Sequence, residues 1–282
     1  MSASSGDVPL LTPSRVSALL RERGLRPRQA LGQNFLADPN TVRRIVSLAG
    51  VSEGDRVLEI GPGLGSLTLG LVDSGAHVVA VEADARLADA CRSLVPEATV
   101  VTGDALRLPL PDLLDDGPWS SVSNLPYNVA VPVIMRLLDE CAQVARLFVM
   151  VQSEVGARLV AGPGDDARGA VSVKVEYHAT SRVEGRVPPT VFIPAPAVDS
   201  VLVSLVRRTS PVTVDRAALF RVVSAAFGHR RKTLRRGLRE LAGSAGAASA
   251  ALNAAGIDPQ ARAEELSLSS FADLTAALGT AR

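Results

Sequence analysis

Arg56-Val57-Leu58-Glu59-Ile60-Gly61-Pro62-Gly63-Leu64-Gly65 is the stretch that decides the fold. Its first half is an apolar-rich run of strand length, and its second half is a glycine turn leading into an apolar helical pattern over 64–72. Glycines there relax the limits on φ and let a ligand lie against the backbone. The spacing is G-x-G-x-G, and Glu59 before it and Pro62 within it argue against the dinucleotide pattern G-x-G-x-x-G. Taken alone, the loop is either a tight strand-to-helix turn or a cradle for a nucleotide-like cofactor.

Outward from this loop, strands and helices alternate. A second strand over 77–81 ends at Glu82, with its helix over 84–95. A third, over 98–101, runs into Gly103-Asp104. A fourth, over 120–123, ends at Asn124, and a helix follows near 131–141. Further strands are expected over 144–151, 171–179 and 200–206, with a mobile loop at 165–169 and a rigid proline-rich connection over 188–196. Upstream, residues 1–9 read as polar and disordered. Thr12-Pro13 and Asp38-Pro39 each read as a cap with proline at the first helical position. From Asp215 onward the pattern is helical. Short apolar strands alternating with helices imply an α/β class with a parallel sheet covered on both faces. The expected divisions are a basic N-terminal segment (1–27), a catalytic domain (28–209) and a C-terminal helical domain (210–282).

The chain has 282 residues and a net charge of +1, but the charge is unevenly spread. Seven arginines lie before position 45, against Asp7, Glu22 and Asp38. Ten basic residues lie between Arg207 and Glu240, against Asp215 and Glu240, among them Arg230, Arg231, Lys232, Arg235 and Arg236. Basic ends around a more acidic middle fit a polyanionic partner, although each could be a solvated helix face. Cys91 and Cys141 have no metal or redox spacing and read as reduced core residues of a cytoplasmic protein. No signal peptide and no apolar run of spanning length is legible, so neither a membrane nor a metal partner is expected. His77, His178 and His229 are scattered and read as structural or surface residues.

The candidate site residues fall just after the carboxyl ends of strands, where open α/β sheets bind ligands. Gly61 and Gly63 form the cradle. Glu82 can accept both ribose hydroxyls of an adenosine cofactor, and Asp104 can accept from its adenine amine. Asn124-Leu125-Pro126-Tyr127 is the sharpest signal. The lone pair of an adenine N6 is delocalised into the ring, so the amine is a poor nucleophile. Accepting its N–H bonds at the Asn124 side-chain oxygen and the Leu125 carbonyl favours a tetrahedral nitrogen. Pro126 makes the two acceptors converge, and Tyr127 offers a face for stacking the base. With an S-adenosylmethionine sulfonium as the electrophile, positioning and electrostatics supply most of the catalysis.

Leu31-Gly32-Gln33-Asn34-Phe35-Leu36, the glycine loop, Gly103-Asp104-Ala105-Leu106, Asn124 through Asn128, Phe192-Ile193-Pro194-Ala195-Pro196-Ala197-Val198-Asp199-Ser200 and Arg230 through Arg235 together resemble the ribosomal RNA adenine N6,N6-dimethyltransferase family. The likeness covers roughly residues 10 to 275 and is closest to the bacterial small-subunit enzymes linked to kasugamycin sensitivity. It implies a Rossmann-like seven-stranded S-adenosylmethionine-dependent methyltransferase sheet with a small C-terminal all-α domain. The implied cofactor contacts are Asn34, Leu36, Gly61, Glu82, Asp104 and Asn124. The implied reaction is dimethylation of two adjacent adenosines in the 3′-terminal hairpin loop of 16S rRNA, in a small-subunit precursor. Nothing in the sequence indicates an oligomer, so a monomer is expected. The chain departs from the family pattern at Ser153-Glu154, where a Lys-Glu pair is common, and at Arg168, where an aromatic is common. Both departures bear on RNA contact more than on the reaction. A 23S rRNA dimethylase conferring macrolide resistance shares the loop and the tetrapeptide. The same features also leave room for a ribosome-assembly factor that has lost turnover, a DNA adenine methylase or a nicotinamide oxidoreductase.

Overall fold

The computed structural model describes residues 9–28, 32–228 and 233–280. Seven strands form the main sheet: β1 (Arg56–Ile60), β2 (His77–Glu82), β3 (Thr99–Thr102), β4 (Trp119–Asn124), β5 (Val144–Gln152), β6 (Ala179–Val187) and β7 (Ser200–Arg207). Their spatial order is β3-β2-β1-β4-β5-β7-β6. The strands from β1 to β5 pair in parallel, whereas β7 runs antiparallel to β5. The sheet is therefore mixed rather than wholly parallel. The strand order reverses between β1 and β4, the switch point at which such sheets open a crevice at their carboxyl ends. A two-stranded ladder joins Phe35–Leu36 to Phe192–Ile193.

Helices α1 (Pro13–Glu22), α2 (Pro39–Ala49), α3 (Ser66–Asp73), α4 (Ala85–Leu94) and α5 (Ala130–Glu140) accompany the parallel strands. Both expected proline starts are present. The Thr12 hydroxyl accepts from the Arg15 N–H, and the Asp38 carboxylate accepts from the Thr41 N–H at 2.7 Å. Each bond satisfies one orphan donor of a first turn. Cys91 and Cys141 are buried and unpaired, and burial pushes the Cys91 thiol up to about 12 and the Cys141 thiol up to about 11.

The chain divides into two compact units, Met1–Gly156 with Arg182–Arg207, and Ala157–Ser181 with Arg208–Arg282. The second unit has its own core, in which Leu219, Val223, Leu234, Leu238, Leu252 and Phe271 are buried. Helix α6 (Ser153–Val160) follows β5. The longer helices of the second unit are α7 (Ala170–His178), α8 (Arg216–Phe227), α11 (Ala245–Ala254) and α12 (Leu268–Thr280), and the short α9 (Leu234–Gly237) and α10 (Arg239–Ala242) lie between α8 and α11.

Two expectations fail in this part of the chain. Residues 171–179 alternate apolar and polar like a strand, but Ala170–His178 is helical and the sixth strand begins one element later, at Ala179. Ser172, Val173, Val175 and His178 are all buried. A helix covered on several sides loses the one-faced 3.6-residue signature, so the period of two misleads. The Gly169 N–H is accepted by the Ser172 hydroxyl, which closes the first turn. The stretch expected as a mobile loop, 165–169, is pinned instead: the buried Arg168 donates to the Ala161 carbonyl and pairs with Glu176 at 2.7 Å.

Among the described residues no helix is long and apolar enough to cross a membrane, and no group of three or more His, Cys, Asp or Glu residues could hold a metal ion.

Candidate active site

A cavity of about 490 Å³ opens at the carboxyl ends of β1, β2, β3 and β4. It is lined by Asn34, Leu36, Gly61, Gly63, Glu82, Asp104 and all four residues of Asn124-Leu125-Pro126-Tyr127. The register explains the opening. β1 and β4 pair only at Val57 with Ser120 and Leu58 with Ser121, so the ladder ends before the loop. Beyond it, the Ile60 N–H donates to the Ser123 hydroxyl at 2.9 Å instead of to a backbone carbonyl. Ser123 therefore ties the end of β1 to the end of β4 through a side chain, where the backbone ladder has stopped.

The glycines are required by conformation and by space. Gly61 and Gly63 have φ of +76° and +58°, a region that side chains disfavour. A Cβ on Gly61 would lie 3.1 Å from Pro126 Cδ, and one on Gly63 3.0 Å from the Phe35 ring. The loop is thus held between the tetrapeptide and the segment before α2. That segment lies on the tetrapeptide as well, since a Cβ on Gly32 would meet the Tyr127 backbone nitrogen at 3.0 Å.

Glu82 is buried at the end of β2. One of its oxygens accepts from the Gly63 N–H at 3.0 Å and the other from the Asp84 N–H at 2.9 Å. Burial pushes its pKa up, and the bonds from Asp84 and Gly63 pull it back. Each oxygen keeps a lone pair for a further donor, as a pair of ribose hydroxyls supplies. The Asp104 carboxylate accepts from the Leu106 N–H at 2.9 Å and is half exposed. Ile60, Leu64, Leu87 and Leu106 add apolar lining. A glycine cradle, two carboxylates with spare acceptor capacity and apolar walls suit the adenosine and sulfonium of S-adenosylmethionine, and the volume falls in the range of small-molecule sites.

The Asn124 side chain is oriented from outside its own loop. Its Nδ2 donates to the Asn34 backbone carbonyl at 3.2 Å, so its Oδ1 remains as an acceptor. The Asn34 side chain in turn donates to the Gly32 carbonyl at 3.2 Å. Leu36 is buried in the short ladder beside Phe192. The Tyr127 ring is partly exposed, with its hydroxyl 2.7 Å from the Ser200 hydroxyl.

Several contributors are not legible in the sequence. Glu59 lies in the cavity wall wholly buried, accepting from the Thr68 hydroxyl at 2.6 Å, and burial pushes its carboxyl up to about 8. Phe35, Ser123 and Ser200 sit inside or beside the quoted motifs, but only their tertiary neighbours reveal what they hold. Of the expected basic cluster, Arg230, Arg231 and Lys232 lie outside the described residues, as does His229, whereas Arg235 and Arg236 stand exposed on α9.

The family model described as ribosomal RNA adenine dimethylase matches residues 24–279. A protein of Thermobifida fusca named ribosomal RNA small subunit methyltransferase A is 50% identical over 279 residues, covering 96% of each chain. One of the same name from Cutibacterium acnes is 48% identical over 284 residues, covering 96% of this chain and 95% of its own. Among solved structures, a dimethyladenosine transferase from Plasmodium falciparum shares the fold with a TM-score of 0.71 at 22% identity, over 85% of this chain and 95% of that one. The 23S rRNA methyltransferase ErmE superposes with a TM-score of 0.64 at 26% identity, over 87% of this chain and the whole of that one. The family match begins upstream of the glycine loop and runs through both units, and the chain therefore belongs to the ribosomal RNA adenine dimethylase family.

Proposed function

We propose that this chain transfers methyl groups to N6 of two adjacent adenosines in the 3′-terminal hairpin loop of 16S rRNA, giving N6,N6-dimethyladenosine during small-subunit biogenesis. The observation that carries the proposal is the Asn124 amide. With its nitrogen committed to Asn34, its oxygen is left as a hydrogen-bond acceptor on a residue that lines the cavity. S-adenosylmethionine is the cofactor of the enzyme, and when bound it supplies an activated methyl group.

The chain's own residues do the rest. Gly61, Gly63, Glu82 and Asp104 hold the cofactor's adenosine, and Asn34 and Leu36 cover its methionine end. The Asn124 Oδ1 and the Leu125 carbonyl accept from the N6 amine, localising its lone pair toward the methyl group. Pro126 sets the angle between these acceptors, and Tyr127 stacks on the base. Unpaired hairpin adenines reach such a pocket cheaply because they have no base pair to break. Residues 210–282 contact the rRNA backbone through Arg230, Arg231, Lys232, Arg235 and Arg236, a salt-sensitive interaction that carries no sequence reading. The enzyme acts as a cytoplasmic monomer on a small-subunit precursor. The small-subunit names of the relatives at 48–50% identity support 16S over 23S rRNA.

The test is transfer of labelled methyl from S-adenosylmethionine to unmethylated small subunits and, separately, large subunits, with the product nucleoside identified by mass. N6,N6-dimethyladenosine confined to 16S rRNA is expected. Label confined to 23S rRNA makes the chain a resistance methylase, and binding to small subunits without label makes it an assembly factor.

A further inference from the structure

We infer that Ser200 is a positioning residue for the reaction: its hydroxyl anchors the far end of the Tyr127 phenol and so holds the ring at the place where the target base stacks. The inference rests on the functional reading above and adds a residue to it. Ser200 opens β7, the strand antiparallel to β5, and pairs there with Gln152. Because β7 runs against the others, its amino end arrives at the edge where the parallel strands have their carboxyl ends. Asn124, at the end of β4, pairs with Met150 two residues before Gln152, so the start of β7 lies close beside the tetrapeptide.

The position of Ser200 is itself clamped. The Ser153 backbone N–H and its hydroxyl both donate to the Asp199 carbonyl, at 3.0 and 2.9 Å. Ser200 is fully buried, and its hydroxyl lies 2.7 Å from the Tyr127 hydroxyl. Water cannot readily replace either partner on the Ser200 side, so losing one hydroxyl strands the other. A phenol held at its far end cannot swing about its Cα–Cβ bond, so the ring stays over the place of the base before the base arrives. Pre-set geometry of this kind acts on the bound complex and therefore on kcat.

The experiment is a double-mutant cycle of Ser200→Ala and Tyr127→Phe in the full-length enzyme, with Ser200→Thr as the conservative variant. kcat and KM are measured for unmethylated small subunits, and the Kd for S-adenosylmethionine is measured by calorimetry. Ser200→Ala is expected to lower kcat by roughly fivefold or more, the scale of one stranded buried hydroxyl, without changing the cofactor Kd. Tyr127→Phe should do the same, the double variant should lose no more than either, and Ser200→Thr should restore the rate. Multiplicative losses in the double variant, or a cofactor Kd that weakens in step with the rate, would overturn the positioning role. Wild-type enzyme that transfers no methyl to adenine N6 would overturn the functional reading and this inference together, a result distinct from an active wild type with a multiplicative cycle.

Discussion

Gly61→Ala separates the chemical role of the glycine loop from its structural one, because Gly54 offers a matched reference. Both residues have left-handed backbones, with φ of +76° and +81°, so alanine carries a similar conformational cost at each. That cost is about 1–2 kcal/mol. It lowers the melting temperature by roughly 2–8 °C in a unit of this size. The surroundings differ. An added Cβ at Gly54 meets nothing within 4 Å, whereas at Gly61 it sits 3.1 Å from Pro126 Cδ and 3.3 Å from its Cγ. Comfortable carbon–carbon contact begins near 3.5–4.0 Å, so Pro126 must give by about half an ångström. In the proposed mechanism Pro126 sets the convergence of the two N6 acceptors, and displacement on this scale costs on the order of tenfold in turnover. The assay pairs thermal melting with methyl transfer to small subunits under saturating cofactor. Both variants should melt a few degrees low, with only Gly61→Ala losing an order of magnitude in kcat. Equal turnover in the two variants would refute the claim that the loop braces the tetrapeptide.

Asn124→Ala should lower methyl transfer by about 10²–10³-fold, the scale of removing one electrostatic partner of the reacting centre, while small-subunit binding survives filter assay; near-normal turnover would remove Asn124 from the chemistry. Glu59 supplies a pH signature. Burial raises its carboxyl from 4.5 to about 8, so the folded protein keeps a proton that the unfolded chain has lost. The contribution of Glu59 to stability is then greatest below pH 4.5, declines as pH rises toward about 8 and is flat above it. Melting curves of Glu59→Gln across pH 5 to 9 should show a shallower decline than the wild type, and parallel profiles would contradict the burial argument. Replacing Arg231, Lys232 and Arg235 with alanine should weaken RNA binding and reduce the salt slope by roughly 0.7–0.9 for each phosphate no longer neutralised. Titrations at several salt concentrations that overlay the wild type would reduce the cluster to a solvated face.

The local chemistry of the catalytic unit is legible in its sequence. Strand starts, the glycine turn, two proline-initiated helices and the acidic residue ending the second strand all announce themselves through neighbours in the chain. The interactions responsible span only a few residues, and β1, β2 and β5 each carry an apolar run, although β4 carries three serines. Gly61, Glu82, Asp104 and Asn124 could be placed at strand ends for the same reason, and the structure gathers them around one cavity.

What required the tertiary structure is everything settled by partners far along the chain. The segment from Ala170 to His178 alternates like a strand, but burial on several sides makes it a helix. At the ends of β1 and β4 a side chain, Ser123, accepts from the backbone N–H of Ile60. The orientation of the Asn124 amide is set by a carbonyl 90 residues away, and the far end of the Tyr127 ring meets a hydroxyl 73 residues away. Periodicity and capping report what a residue does to its own element; which atom faces it across the sheet follows from strand order and register, and these are decided only when the whole core packs at once.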